Sequence, residues 1–198
     1  MTGHHDPMSC HRLFVALRPP PPIRTILLAM MQGVAGLRWQ VDDQLHITLR
    51  FIGEVDRHQA EDIAAILGHL HAPALDLRLS GVGQFEKSGR PHTLWAGVAP
   101  AAPVAALHRK INQLLAQVGI APETRAFLPH LTLARANRSA GPLAPYLSTH
   151  AAFSTPAFRC KHVILYESEM GHGGSRYHPV TRYALTPPSQ SANTAAPA

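Results

Sequence analysis

Leu45-His46-Ile47-Thr48-Leu49-Arg50-Phe51-Ile52-Gly53 and Pro129-His130-Leu131-Thr132-Leu133-Ala134-Arg135 carry one pattern twice, His-x-Thr-Leu. Each segment alternates like a β-strand, in which every second residue faces the same side. His46 and Thr48 then share one face, against Ile47, Leu49 and Phe51 on the other. His130 and Thr132 oppose Leu131 and Leu133 in the same way. With 14 histidines in 198 residues, chance supplies this pattern roughly 0.1 times. If the two strands lie side by side, their polar faces form one cleft with two imidazoles and two hydroxyls.

Those side chains suit phosphoryl chemistry. An imidazole titrates near neutral pH, so one can accept a proton while the other gives one. A threonine hydroxyl can donate to a phosphate oxygen that gains charge. The aliphatic residues between them anchor the strand and fix the rotamers by packing. Arg135 is the candidate for phosphate binding, because a guanidinium fork matches phosphate geometry. Strict alternation puts Arg135, five residues past His130, on the wrong face. It reaches the site only if the strand ends or bulges near Ala134. Arg50 has the parity of His46 and Thr48, and Phe51 the parity of the core.

Outward from these segments, strands and helices interleave. Arg12–Leu17 reads as a strand stopped by Pro19–Pro22. Ile23–Val34, Arg57–Leu70 and Pro103–Val118 show helical spacing, the last with Pro at its start and Gly119 past its end. Leu75–Phe85 and Thr93–Val98 read as strands joined through the hairpin signal Lys87-Ser88-Gly89-Arg90. Asn137–Pro145 reads as a loop. Phe158–Glu167 and Ser175–Leu185 read as a closing antiparallel pair around the Gly-rich stretch Gly171–Gly174. Consecutive strands joined by short hairpins favour an α+β fold with antiparallel sheets over a parallel, doubly wound one. The expected division is a flexible N-terminus over 1–10, a single folded domain over 11–186, and a disordered tail over 187–198, which has nothing to bury.

Apolar residues make up 45% of the chain, ordinary for a globular protein able to bury a core without staples. No apolar run of about 18 residues predicts a membrane helix. No basic, apolar leader is visible, so a cytoplasmic location is expected. Cys10 and Cys160 read as free thiols. The formal charge of +6 and a pI near 9.9 suit an anionic partner, nucleic acid above all.

The motifs resemble those of the two-histidine (2H) phosphoesterase superfamily, in the LigT-like branch of RNA 2′,3′-cyclic phosphodiesterases. The likeness lies in the Arg-Leu-Phe-x-Ala start at Arg12–Ala16 and in Leu45–Gly53 and Pro129–Arg135. It continues in the strand at Val163–Ser168 and the pair Arg176-Tyr177. This resemblance implies a bilobal fold of pseudo-twofold symmetry, with antiparallel sheets flanking a central cleft and helices outside. It implies hydrolysis of RNA 2′,3′-cyclic phosphate ends to 2′-phosphates, with some relatives joining RNA ends through a 2′,5′ bond. It implies no metal and no cofactor. His46 would be the acid on the departing 3′ oxygen and His130 the base on water; the residues themselves do not separate the two roles.

Other candidates carry less. In His92-Thr93-Leu94 the hydroxyl is adjacent to the imidazole, so the two point apart. His69, His71, His172 and His178 lack a carboxylate or thiolate at ligand spacing, and no metal site is expected. Among Phe51, Trp95 and Tyr177, Tyr177 is the best placed to stack on a base. Lys87, Arg90, Arg109, Arg125 and Arg176 could form a basic rim. The expected partner is an RNA or oligonucleotide with a 2′,3′-cyclic phosphate end, with no membrane and no obligate protein partner. Two alternatives stay open at this point. One is a cyclic phosphate of a metabolite such as ADP-ribose, and the other is a non-catalytic RNA-binding module.

Overall fold

In the computed structural model, residues 10–171 and 174–186 are described. The expectations for residues 1–9, for His172 and for the tail from 187 lie outside them. In chain order the elements are β1 (His11–Leu17), α1 (Pro21–Met30), β2 (Leu37–Trp39) and β3 (Ile47–Val55). There follow α2 (Arg57–Leu67), β4 (Leu75–Lys87), β5 (Arg90–Ala99), α3 (Ala101–Ala116) and β6 (His130–Ala136). The chain closes with α4 (Ala144–Thr149), β7 (Phe158–Cys160), β8 (His162–Gly171) and β9 (Gly174–Ala184).

The strands lie in the order β7-β4-β5-β6-β3-β1-β8-β9, with β2 paired to β6. Every registered strand pair is antiparallel. The order splits into two four-stranded lobes related by exchange of β6 with β3 and of β5 with β1. The lobes meet where Ile47 of β3 faces Leu131 of β6. The fold is thus the expected α+β, bilobal, antiparallel architecture.

One sheet face is apolar and packs under the helices. Leu13, Val15, Leu17, Leu49, Leu79, Leu94, Leu131 and Leu133 are buried there with Ile63 and Leu67 of α2 and Val104, Leu107, Ile111 and Leu115 of α3. Burying the four α3 aliphatics contributes roughly 6–12 kcal/mol before entropy is counted. The helix ends on a turn in which Ile120 N–H donates to Leu115 O (3.1 Å) and Gly119 takes φ +80, a conformation that favours glycine. Asp56 caps α2 by accepting from Gln59 N–H at 2.8 Å. Among the described residues no helix is long and apolar enough to cross a membrane.

Two parts of the chain differ from the sequence reading. Phe158–Glu167 is two strands. β7 pairs with β4 in one lobe, and β8 pairs with β1 and β9 in the other. The chain crosses between lobes at Lys161, and only long-range pairing fixes that break. Short elements between motifs, β2 and α4, have too few residues to show a period.

Candidate active site

β3 and β6 are the central strands, so the repeated motifs sit at the junction of the lobes. One step either side of the Ile47–Leu131 pair sets His46 across from Thr132 and Thr48 across from His130. Residues two places apart in sequence on opposite strands sit diagonally, about 7–8 Å apart. That is the relation of His46 to His130.

Both imidazoles are anchored alike. His46 Nδ1 pairs with the carbonyl of Gln44 and His130 Nδ1 with the carbonyl of Leu128, each at 2.7 Å and each two residues back. A carbonyl only accepts, so Nδ1 carries the hydrogen and Nε2 is the titrating nitrogen on both rings. Aromatic rings fix each imidazole further. Phe14 (4.9 Å) and an edge-on Tyr177 (5.1 Å) flank His46. An edge-on Phe85 (4.9 Å) and Trp95 (6.2 Å) flank His130. Gln44, two residues before His46, closes a 3-10 turn, Asp42–Gln44. Gln44 Nε2 donates to Ser175 O at 2.8 Å and ties that turn to β9.

The strands also share an irregularity. On β3, Ala16 pairs with Thr48 and Val15 with Arg50, so Leu49 is an extra residue. On β6, Trp95 pairs with Thr132 and Leu94 with Ala134, so Leu133 is extra. Each β-bulge falls three residues after the histidine and reverses the parity beyond it. Arg135 therefore comes onto the face of His130 and Thr132, as a bulge near Ala134 would require. Arg50 goes the other way. It is 7% exposed, ion-paired to Glu123 at 3.2 Å, and donates to the carbonyl of Ala121. The parity reading of Arg50 as a cleft residue is corrected: it tethers the loop that leads into His130. Phe51, expected in the core, is 45% exposed on the cleft side, with the Arg12 guanidinium 5.1 Å above its ring.

A cavity of about 340 Å³ opens on this face, its wall including His46, Thr48, Phe51, Arg135, Arg12 and Tyr177. His130 and Thr132 are not in that wall; the strand register sets them on the same face, opposite Thr48 and His46. Burial pushes the His46 imidazolium down to about 4, helped by the charges of His130, Arg135 and Arg18 and opposed by the Gln44 carbonyl. Burial lowers His130 as well, with Arg135 adding to it and the Leu128 carbonyl opposing. The site is thus electropositive and short of protons, and an anion entering it favours the protonated rings.

Sequence reasoning missed Phe14 and the stacked pair His108 and Phe127. Phe14 has cleft parity on β1, opposite to Leu13 and Val15, so the signal was there. His108 of α3 is buried, with Nδ1 to the carbonyl of the bulged Leu49 at 2.6 Å. It stacks on Phe127 at 4.0 Å, just ahead of His130. Nothing local in the sequence marks His108 or the bulges. His92 is exposed, and its Nδ1 lies 2.9 Å from Thr93 Oγ1, so these two side chains meet instead of pointing apart as alternation suggests. Among the described residues no cluster of three His, Cys, Asp or Glu could hold a metal ion.

Residues 19–172 match the sequence model of the 2′-5′ RNA ligase superfamily, a span that holds both motifs. The chain is 29% identical over 184 residues to the RNA 2′,3′-cyclic phosphodiesterase of Escherichia coli, covering 88% of this chain and 97% of that protein. It is 37% identical over 95 residues to the protein of that name from Aeropyrum pernix, covering 48% of this chain and about half of the relative, 54%. The crystal structure of E. coli LigT complexed with 3′-AMP superposes with a TM-score of 0.74 at 27% identity, over 90% of this chain and 99% of that one.

Proposed function

We propose, from the premise that this chain belongs to the 2′-5′ RNA ligase superfamily, that it is a metal-independent hydrolase of RNA 2′,3′-cyclic phosphate ends. The folded unit over residues 11–186 acts as one bilobal phosphodiesterase. The observation that carries this reading is the pairing of His46 and His130 on adjacent strands, each with Nδ1 held by a carbonyl two residues back.

In the reaction water attacks phosphorus and the bond to the 3′ oxygen breaks. One imidazole Nε2 takes the water proton and the other gives a proton to the departing 3′ oxygen. The products are a 2′-phosphomonoester and a free 3′ hydroxyl, and the two rings end with their protonation exchanged. Attack and departure lie on opposite sides of phosphorus, which suits two bases spaced across a strand junction. Thr48 and Thr132 donate to the phosphoryl oxygens, and Arg135 opposes the charge that builds on them. A 5′ hydroxyl of a second RNA end in place of water gives a 2′,5′ bond by the same proton transfers. A cytoplasmic location, with Cys10 and Cys160 as free thiols, belongs to the same reading.

The test is steady-state hydrolysis of a nucleoside 2′,3′-cyclic phosphate with the product isomer identified. His46→Ala and His130→Ala should each lower turnover roughly 10²–10⁴-fold. The double variant should be little worse than the worse single one, since the pair acts as a unit. A folded single variant with near-normal turnover, or a 3′-phosphate product, would rule the mechanism out.

A further inference from the structure

The cleft face continues past His46 along β1. Its parity runs Phe14, Ala16 and then, just beyond the strand, Arg18. On β8 the partners of Phe14 and Ala16 are Tyr166 and Ile164, and Ile164 pairs with Arg182 on β9. The Tyr166 ring lies 6.3 Å from His46 and 5.1 Å from Phe14. Arg18, Arg182 and Arg24 all act on the Tyr166 hydroxyl against its burial, and the charge of Arg18 reaches His46 too. An unbroken face therefore joins the histidine site to a basic corner.

That corner is a second cavity, of about 480 Å³, lined by Arg18, Arg24, Arg159, Lys161 and Arg182 and backed by Pro19–Pro21. Asp42 holds Arg24 at 2.8 and 3.0 Å and Arg18 at 3.1 Å. Asp43 holds Arg18 at 3.0 Å, and Asp76 holds Arg159 through two bonds of 2.7 Å. Five cations against three carboxylates leave an excess of two positive charges. Among the described residues no carboxylate pairs with Lys161 or Arg182, and both are exposed. Asp42 also starts the 3-10 turn whose Gln44 anchors His46, so the corner is rigidly tied to the site.

The two openings differ in chemistry. The cavity at His46 mixes aromatic rings with cations and is of a size to take one nucleoside. The corner is walled mainly by cations and prolines, with His162 its one ring and no Phe, Tyr or Trp in its lining, which suits phosphates better than bases. From Phe14 to Arg18 is four residues of extended chain, about 13 Å, within reach of a few nucleotides. We propose that the Arg18–Lys161–Arg182 corner is a second phosphate subsite, which takes internal phosphodiesters of the RNA whose cyclic end lies at His46 and His130. The proposal rests on the reading of the cleft as a cyclic phosphodiesterase site. It makes an oligonucleotide a better substrate than a nucleoside cyclic phosphate.

The experiment compares the protein with its K161Q/R182Q variant on a nucleoside 2′,3′-cyclic phosphate and on a single-stranded hexanucleotide with the same end, between 50 and 200 mM salt. The unaltered protein should prefer the hexanucleotide at low salt. The variant should lose roughly tenfold in kcat/KM on the hexanucleotide while turnover of the nucleoside stays within about twofold. The slope of log kcat/KM against log salt should shrink by about 1.4 for two lost phosphate contacts. Equal use of both substrates by the unaltered protein, an equal loss on both in the variant, or a hexanucleotide-specific loss that follows instead from Arg38→Gln, in the wall of the His46 cavity, would overturn the subsite. Anisotropy with the 2′-phosphate product hexanucleotide reads the corner without turnover. Binding that depends on Lys161 and Arg182 in a protein that cleaves neither substrate would sink the cleft reading and keep the subsite, whereas binding indifferent to them would sink the subsite.

Discussion

The pH dependence of kcat/KM is the sharpest check on the histidine pair, because the structure makes it unusual. In solution an imidazole titrates near 6.5. Burial and neighbouring cations bring His46 to about 4 and hold His130 below its ordinary value. At pH 7 roughly one free molecule in 1,000 then has His46 protonated. Catalysis needs one ring protonated and one neutral, so the productive fraction peaks between the two values. The bell for kcat/KM should lie on the acid side of 6.5, with limbs that belong to the coupled pair. Above 6.5 it should fall tenfold per pH unit, about 30-fold between pH 6.5 and 8. The substrate is a phosphodiester and stays singly charged throughout, so it adds no limb. Once bound, its anion favours the imidazolium, and the alkaline limb of kcat should lie above that of kcat/KM. Arg135→Ala removes a cation that lowers both rings, so its alkaline limb should move to higher pH while its maximum falls. The assay is initial-rate hydrolysis of a nucleoside 2′,3′-cyclic phosphate from pH 4 to 10. A profile that is flat or rising from 6.5 to 9, or a limb that moves to lower pH in Arg135→Ala, would refute the electrostatic account.

Thr48→Ala and Thr132→Ala each remove a neutral donor worth about 1 kcal/mol and should lower turnover roughly fivefold, less than either histidine variant in the same assay. Prolonged dialysis against a chelator should leave turnover unchanged, because among the described residues no carboxylate or thiolate cluster stands by the histidines to hold an ion; loss restored by one divalent ion would overturn this. Arg50→Met keeps the buried volume but releases Glu123 and the Ala121 carbonyl. The loop that aims His130 should loosen, and kcat should fall roughly tenfold with a loss of only a few degrees in Tm. Gly36 takes φ +74, and a Cβ there would lie 2.6 Å from backbone atoms of Ser139 and Ala140. Gly36→Ala should therefore cost about 2–4 kcal/mol, read as a fall of roughly 5–15 °C in thermal unfolding.

Much of this architecture was legible along the chain because it is local. The hairpin at Lys87–Arg90 follows from Ser88-Gly89, which adopt φ 53 and φ 71 and close a tight two-residue turn. The core face of α3 follows from its spacing, and its end from Gly119. The two His-x-Thr segments declared their shared face by alternation alone. The illegible parts are the non-local ones. β7 belongs to β4 and β8 to β1, yet both lie in one run with strand character, and a partner some eighty residues away decides where it breaks. Arg50 and Phe51 were exchanged for a different reason. Period-two reading assumes an unbroken pleat, and one inserted residue inverts everything after it.

That insertion explains how a symmetric frame can serve an asymmetric substrate. A regular strand offers its first, third and fifth residues to one face, which would give His, Thr and then Arg50 in β3 or Ala134 in β6. Bulging at Leu49 and Leu133 replaces these fifth residues by the sixth, Phe51 and Arg135. The imidazole and hydroxyl precede the bulge and stay twofold-related, as a phosphorus approached from two sides requires. The side chain after the bulge is where the lobes differ, an aromatic ring beside Arg12 on one and a guanidinium on the other. A ribose 2′,3′-cyclic phosphate is likewise near-symmetric only in its phosphate ring: the base is carried on the C1′ side and the rest of the RNA on the C4′ side. The bulge thus separates the part of each strand that must match its twin from the part that must not. Behind the β3 bulge, the buried Arg50 donates to the Ala121 carbonyl and the buried His108 pairs with the carbonyl of Leu49, so the inserted residue is held in place from the core side.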